Sequence, residues 1–171
     1  MPAEQKIIKR LEKCGAPYEI RDVERDFEGS SQDASALMHV DIRQIAKTLV
    51  YKVPFGAAAI IASGDAMISQ DKFQKQFGVK PQMLKEEELV RMTGCHPGAV
   101  YPVAISSRRV KTYMDISLKR CGDLFVYISG GNDTCAVGVP PQKLFEAAEC
   151  MEWVDICKDW INELPPGSRG L

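Results

Sequence analysis

Apolar residues recur every three to four positions over residues 3–14, where Ile7, Ile8 and Leu11 share one face. That period predicts an amphipathic helix, closed by Gly15 and Pro17. Residues 18–21 read as a short strand, and the polar stretch 22–30, with Gly29, as a loop. Ser31 is placed to cap a second helix that carries Ala34, Leu37 and Met38 on one side. A helical turn over 42–46 leads into 47–53, whose β-branched and aromatic residues predict a strand. Pro54-Phe55-Gly56 turns the chain, and 58–63 (AAIIAS), apolar on both faces, predicts a fully buried strand closed by Gly64-Asp65.

Ser69 opens a helix with Phe73 and Phe77 four apart, stopped by Gly78. A short extended piece over 81–84 precedes a helix over 85–92 that ends at Gly94. Residues 94–98, with two glycines and a proline, predict an irregular loop. A strand over 100–105 would be interrupted by Pro102 and so lie at an edge. Further strands are predicted over 110–115, 124–129 and 134–139, with a turn at 130–133. Pro140-Pro141 opens a helix carrying Leu144, Phe145 and Ala148, and 153–157 reads as a last strand. The elements do not alternate regularly between strand and helix. The expected fold class is therefore α+β, a mixed-sheet domain over 1–163 rather than a doubly wound one. Residues 164–171, with Pro165, Pro166, Gly167 and Gly170, read as a disordered tail.

Composition narrows the function classes. The 171 residues fit one domain with a real core. No apolar run approaches a membrane span, and the charged opening MPAEQKIIKRLEKCG lacks a signal-peptide core, so a cytoplasmic protein is expected. Twenty-two basic and 23 acidic residues leave a net charge of −1. Avid backbone-driven binding of nucleic acid usually needs a basic chain, so no DNA partner is expected, while a small contact with an RNA end stays open. The six cysteines are scattered without C-x-x-C spacing and read as reduced, partly buried thiols. Only His39 and His96 could join them, in no zinc-finger spacing, so no metal site is expected.

Familiar catalytic constellations are missing: there is no G-x-S-x-G, P-loop or dinucleotide fingerprint. Cys95 and His96 are adjacent and would point apart on an extended segment. The informative features are combined ones: Gln44-Ile45-Ala46-Lys47-Thr48-Leu49-Val50-Tyr51-Lys52 entering an apolar strand, and Ser63-Gly64-Asp65 ending the next. Thr93-Gly94-x-x-Pro97-Gly98-x-Val100-x-Pro102 follows, then Val126-Tyr127-Ile128-Ser129-Gly130-Gly131 and Pro140-Pro141-x-x-Leu144. In this order they resemble the YbaK/prolyl-tRNA synthetase-associated editing domain family.

The resemblance implies a strongly curved mixed β-sheet flanked by helices and an activity, hydrolysis of the ester of a mischarged tRNA. It favours tRNA-Pro carrying alanine, cysteine or serine. It implies that Lys47 holds the phosphate of the terminal adenosine and that Gly98 helps place the ester and the attacking water, with a ribose hydroxyl of the substrate assisting. Ser31, Asp65, Pro102, Ser129, Gly130 and Gly131 are the accompanying candidates for substrate binding. No metal or organic cofactor is implied. The expected partners are the 3′ end of aminoacyl-tRNA and a synthetase that helps deliver it. An activated ester needs placement and oxyanion stabilisation more than a triad, a lysine suits a phosphate, and a glycine lets backbone N–H groups come close. Departures from the family pattern are Ser30-Ser31 in place of a histidine, Tyr101 in place of a proline, and Asn132-Asp133 after the late glycines; they bear on which aminoacyl group is accepted. Two rival readings are a non-catalytic module that binds the tRNA 3′ end or its aminoacyl group, and a thiol-dependent hydrolase using Cys95.

Overall fold

A computed structural model describes residues 2–23, 30–97, 99–103, 105, 107–131 and 134–171. Helix α1 (Ala3–Lys13) buries Ile7 and Leu11, the predicted stripe. β1 (Glu19–Asp22) follows, and α2 (Ser31–Met38) buries Ala34 and Met38. The cap of α2 is Ser30 rather than Ser31: Ser30 Oγ accepts the Asp33 N–H at 3.1 Å, which leaves Ser31 as the first helical residue. Leu37, placed by the pattern on the inner face, is exposed.

A 3-10 turn (Ile42–Gln44) leads to β2 (Ala46–Val53) and β3 (Gly56–Ser63), paired antiparallel with Lys47 opposite Ala62 and Thr48 opposite Ile61. After β4 (Met67–Ile68), α3 (Gln70–Phe77) and α4 (Glu86–Thr93), β5 (Val110–Asp115) pairs parallel with β3. Ser69 Oγ accepts the Lys72 N–H at 3.3 Å, a cap of about 1 kcal/mol, and Gly78 and Gly94 end the two helices at positive φ as predicted. A second 3-10 segment (Ile116–Cys121) precedes β6 (Val126–Ser129), β7 (Cys135–Val139) and α5 (Pro141–Ala147).

The predicted strand over 153–157 divides into β8 (Trp153–Val154) and β9 (Cys157–Lys158). The reason is Asp115, whose Oδ1 takes the Ile156 N–H at 3.0 Å and so withdraws it from a ladder. The described residues of 100–105 form no strand, although Val103 is fully buried. The chain end, expected as a disordered tail, is placed against the second 3-10 segment. There Leu171 N donates to Lys119 O at 3.0 Å, and Ser168 Oγ donates to Arg120 O.

The strands make a four-stranded mixed sheet, β2-β3-β5-β8, a three-stranded antiparallel sheet, β1-β7-β6, and the small pair β4-β9. A bridge between Ile45 and Tyr127 joins the two larger sheets. The mixed α/β architecture follows from burial on both sides of β3. Ala58, Ile60 and Ala62 pack with Tyr51 and with Phe73 of α3, while Ala57 and Ala59 pack with Val50 and with Leu89 of α4. Phe73 is fully buried, with ring centroids of Tyr51 and Phe77 at 5.0 and 4.8 Å. Such burial contributes roughly 2–3 kcal/mol. The alternation of β2 then sets the site: Ala46, Thr48, Val50 and Lys52 take one face, Lys47, Leu49, Tyr51 and Val53 the other.

Candidate functional site

Where α2, β2, α4 and β6 meet, they leave a cavity of about 470 Å³. Its wall is largely apolar, with Met38, Val50, Leu89, Tyr127 and Ala136 among the lining residues. Ser30, Ser31, Lys47, Thr48, Glu86 and Ser129 add the polar groups.

Three predicted site residues therefore meet at one cavity: Ser31 from the start of α2, Lys47 from β2 and Ser129 from the end of β6. Lys47 leaves β2 on the face opposite Thr48. Its ammonium donates to Gly64 O at 3.4 Å and to Ala66 O, using two of its three N–H bonds. Burial lowers its pKa, against the raising influence of Cys157 and Asp65. Ser129 Oγ accepts the Gly131 N–H at 3.1 Å. Gly98 lies outside the described residues; Pro97, next to it in the chain, and Val100, two positions on, line the cavity.

The other four candidates sit elsewhere. Pro102 is buried and does not line the cavity. Gly130 and Gly131 serve the connection between β6 and β7. Gly130 N donates to Cys135 O at 2.9 Å, and Gly131 has a φ of +93° with Ala3 and Tyr101 packed against it. Asp65 is fully engaged in an ion pair. Arg120 reaches Oδ1 at 2.6 Å and Oδ2 at 2.9 Å, Ser63 Oγ donates to Oδ1 at 2.8 Å, and Ile161 N donates to Oδ2 at 2.8 Å. Burial alone would raise the Asp65 pKa; these donors outweigh it and hold the carboxyl at about 2. No lone pair is left over for a ligand.

Thr48 is the residue that sequence reasoning passed over. Its Oγ1 is buried and has no hydrogen-bond partner, and Thr48 lines the cavity. An unpaired hydroxyl shut away from water costs about 1–3 kcal/mol. The available signal was a polar residue in an apolar strand, next to the lysine already singled out. Tyr127 was read only as part of a motif. Its hydroxyl donates to Glu19 Oε1, and burial together with that bond pushes its pKa up to about 12. The Arg21 guanidinium lies 4.7 Å from the ring centre and donates to Met38 O at 2.7 Å. This pair braces α2 against β6 across the cavity.

Among the described lining residues there is no histidine, and the cysteine that lines the cavity, Cys135, is buried, which pushes its thiol pKa up to about 11. His39 and His96 are exposed and do not line the cavity. Cys95 is 2% exposed, off the wall, with its Sγ turned to Thr93 O. Among the described residues no three His, Cys, Asp or Glu side chains gather as metal ligands would, and no helix is long and apolar enough to cross a membrane. The arrangement can bind, orient and exclude water.

Comparisons with known proteins point the same way. A family model described as the aminoacyl-tRNA editing domain matches residues 28–147. The chain is 33% identical over 139 residues to YwhH of Bacillus subtilis, an uncharacterized protein, covering 79% of this chain and 87% of that one. It is 30% identical over 77 residues to the proline–tRNA ligase of Dechloromonas aromatica, 44% of this chain but 13% of the ligase. A solved structure described as a candidate trans-editing enzyme for prolyl tRNA synthetase shares the fold, with a TM-score of 0.77 at 21% identity, over 92% of this chain and 98% of that one. A hypothetical protein, APE2540, aligns with a TM-score of 0.76 at 23% identity, over 90% and 99%.

Proposed function

The chain belongs to the aminoacyl-tRNA editing domain family, and on that premise we propose that it hydrolyses the ester of a mischarged tRNA, with tRNA-Pro carrying alanine, cysteine or serine as the favoured substrate. The observation that carries this reading is the cavity itself. It is largely apolar and lined by Thr48, with its unpartnered hydroxyl, and by the half-buried Lys47; its described lining residues include no histidine, and the thiol of Cys135, which lines it, has its pKa pushed up to about 11 by burial. Its volume falls in the ~300–1,000 Å³ range of small-molecule sites and suits an aminoacyl-adenosine end rather than a free amino acid.

In this reading the third N–H of the Lys47 ammonium takes the phosphate of the terminal adenosine. Gly98, between Pro97 and Val100 in the chain, frames the ester with its backbone. Water adds to the ester carbonyl, and the bond to the ribose oxygen breaks. The proton passes from the water to that leaving oxygen with help from the neighbouring ribose hydroxyl. The protein contributes placement, which for an activated ester supplies much of the rate. Ser129 and Thr48 offer hydroxyls to the aminoacyl group.

A second, polar groove continues from the cavity and shares Leu84 with it. Lys52, Arg91 and Arg109 outnumber Glu88 there, with Lys52 paired to Glu88 at 3.0 Å. In a chain of net charge −1 this local excess gives an RNA backbone a path away from the site. The reading is tested by incubating the protein with a panel of mischarged tRNAs and following loss of the aminoacyl group. Release from one or a few members of the panel is expected. Tight binding with no release from any would turn the reading to a non-catalytic 3′-end module.

A further inference from the structure

β3 ends at Ser63, and Gly64, Asp65 and Ala66 turn the chain. This turn holds the Lys47 ammonium through the Gly64 and Ala66 carbonyls. Because Lys47 leaves β2 on the face away from Thr48, the direction of those two carbonyls decides where its charge lies.

The turn is itself gripped from several sides. Gly64 sits so close to the first 3-10 turn and to the start of α2 that a side chain there would fall 2.8 Å from Ile42 O and 2.9 Å from Ser31 Cβ. Asp65 is held by Arg120, and all five N–H donors of Arg120 are used: Nε on Ser117 O at 2.7 Å, one terminal nitrogen on Asp65 Oδ2 and Ile161 O, the other on Asp65 Oδ1 and Ser63 Oγ. The two side chains are 4% and 9% exposed. The Trp160 ring lies 4.8 Å from the guanidinium carbon, and Ile161 N closes the circuit on Asp65. An apolar pair of similar volume would often stabilise a fold as well or better. What a bidentate arginine–carboxylate pair adds is direction.

We propose that Arg120 is a positioning residue for Lys47: by clamping Asp65 it orients the Gly64 and Ala66 carbonyls that hold the Lys47 ammonium, with Trp160–Ile161 as the second jaw of the clamp. The proposal rests on the reading of Lys47 as the phosphate anchor. Arg120 touches no substrate. It acts through the turn, and its loss shifts the lysine rather than removing it.

The test is a double-mutant cycle on deacylation of a mischarged tRNA, reading kcat and KM separately. Arg120→Met combined with Asp65→Asn removes both charges at once and is compared with Lys47→Ala and with the triple variant. Circular dichroism confirms folding. The paired change is expected to reduce kcat/KM by at least about tenfold, and to add nothing further once Lys47 is alanine. Independent, multiplying losses would overturn the proposal, because they would show a general structural effect. Wild-type activity in the paired variant beside a loss in Lys47→Ala would overturn it too, while leaving the Lys47 reading intact. Full activity in Lys47→Ala would remove the Lys47 reading and this proposal with it. Should the paired variant not fold, Asp65→Asn alone, which keeps the shape of the side chain, carries the same cycle.

Discussion

Thr48 and Asp65 are both polar residues set against apolar strands, and their surroundings are opposite. The Thr48 hydroxyl is buried beside a cavity with nothing to bond. The Asp65 carboxylate is buried among four side-chain and backbone donor groups, every one within hydrogen-bond distance. An unsatisfied polar group inside a protein costs free energy that folding has no reason to keep, whereas a fully satisfied one is at rest. The first arrangement leaves a hydroxyl open beside the cavity; the second holds a turn in place. Lys47 stands between them, lining the cavity of Thr48 and tied to the turn of Asp65.

The contrast can be broken most violently at the turn. Arg120→Met alone leaves the Asp65 charge buried and unpaired, and should destabilise the protein by about 3–5 kcal/mol in a denaturant titration. A loss below about 1 kcal/mol would mean that water reaches Asp65 and the clamp is loose. Acid attacks the same point more gently. The Asp65 pKa is lowered to about 2 from 3.8, so its contribution is present above the unfolded value and disappears as pH falls from about 5 towards 2. Up to about 2 kcal/mol should be lost over that window, and Asp65→Asn should flatten the loss.

At the cavity the effects move from stability to turnover. Lys47→Ala should lower deacylation at least about tenfold, the rate equivalent of one contact worth ~1.4 kcal/mol, while the melting temperature barely changes. Unaltered activity would take the lysine out of the mechanism. Thr48→Val is the smallest change and the sharpest. It keeps the shape and removes the orphan hydroxyl, so stability should hold or rise by up to about 1 kcal/mol, while deacylation falls severalfold. A Thr48→Val protein that is less stable and fully active would mean that the hydroxyl has a partner within the fold.

Much of this was legible in the chain. The period of apolar residues marked α1 and α3, the glycines Gly78 and Gly94 marked helix ends, and AAIIAS marked a strand buried on both faces, as β3 is. The motif order pointed to the family that matches residues 28–147; of the eight site candidates the resemblance offered, Ser31, Lys47 and Ser129 line one cavity. Other features were not legible, for identifiable reasons. The described residues of the apolar run at 100–105 bury Val103 without forming a strand, since burial alone does not distinguish a strand from a packed loop. Residues 153–157 read as one strand because nothing local reveals that Asp115 takes the Ile156 amide.

What the sequence determined by itself is what neighbours along the chain decide: periodicity, caps, helix stops and the order of motifs. Tertiary structure alone decided which polar residues are satisfied and which are left open. In the chain Arg120 follows Lys119 and looks like an ordinary solvated cation, and Asp65 looks like an available site residue. Their pairing spans 55 positions, and the Ile161 amide that completes it lies 96 positions from Asp65. The solvation of a polar group depends on everything that packs around it, and those partners are brought together only by the fold.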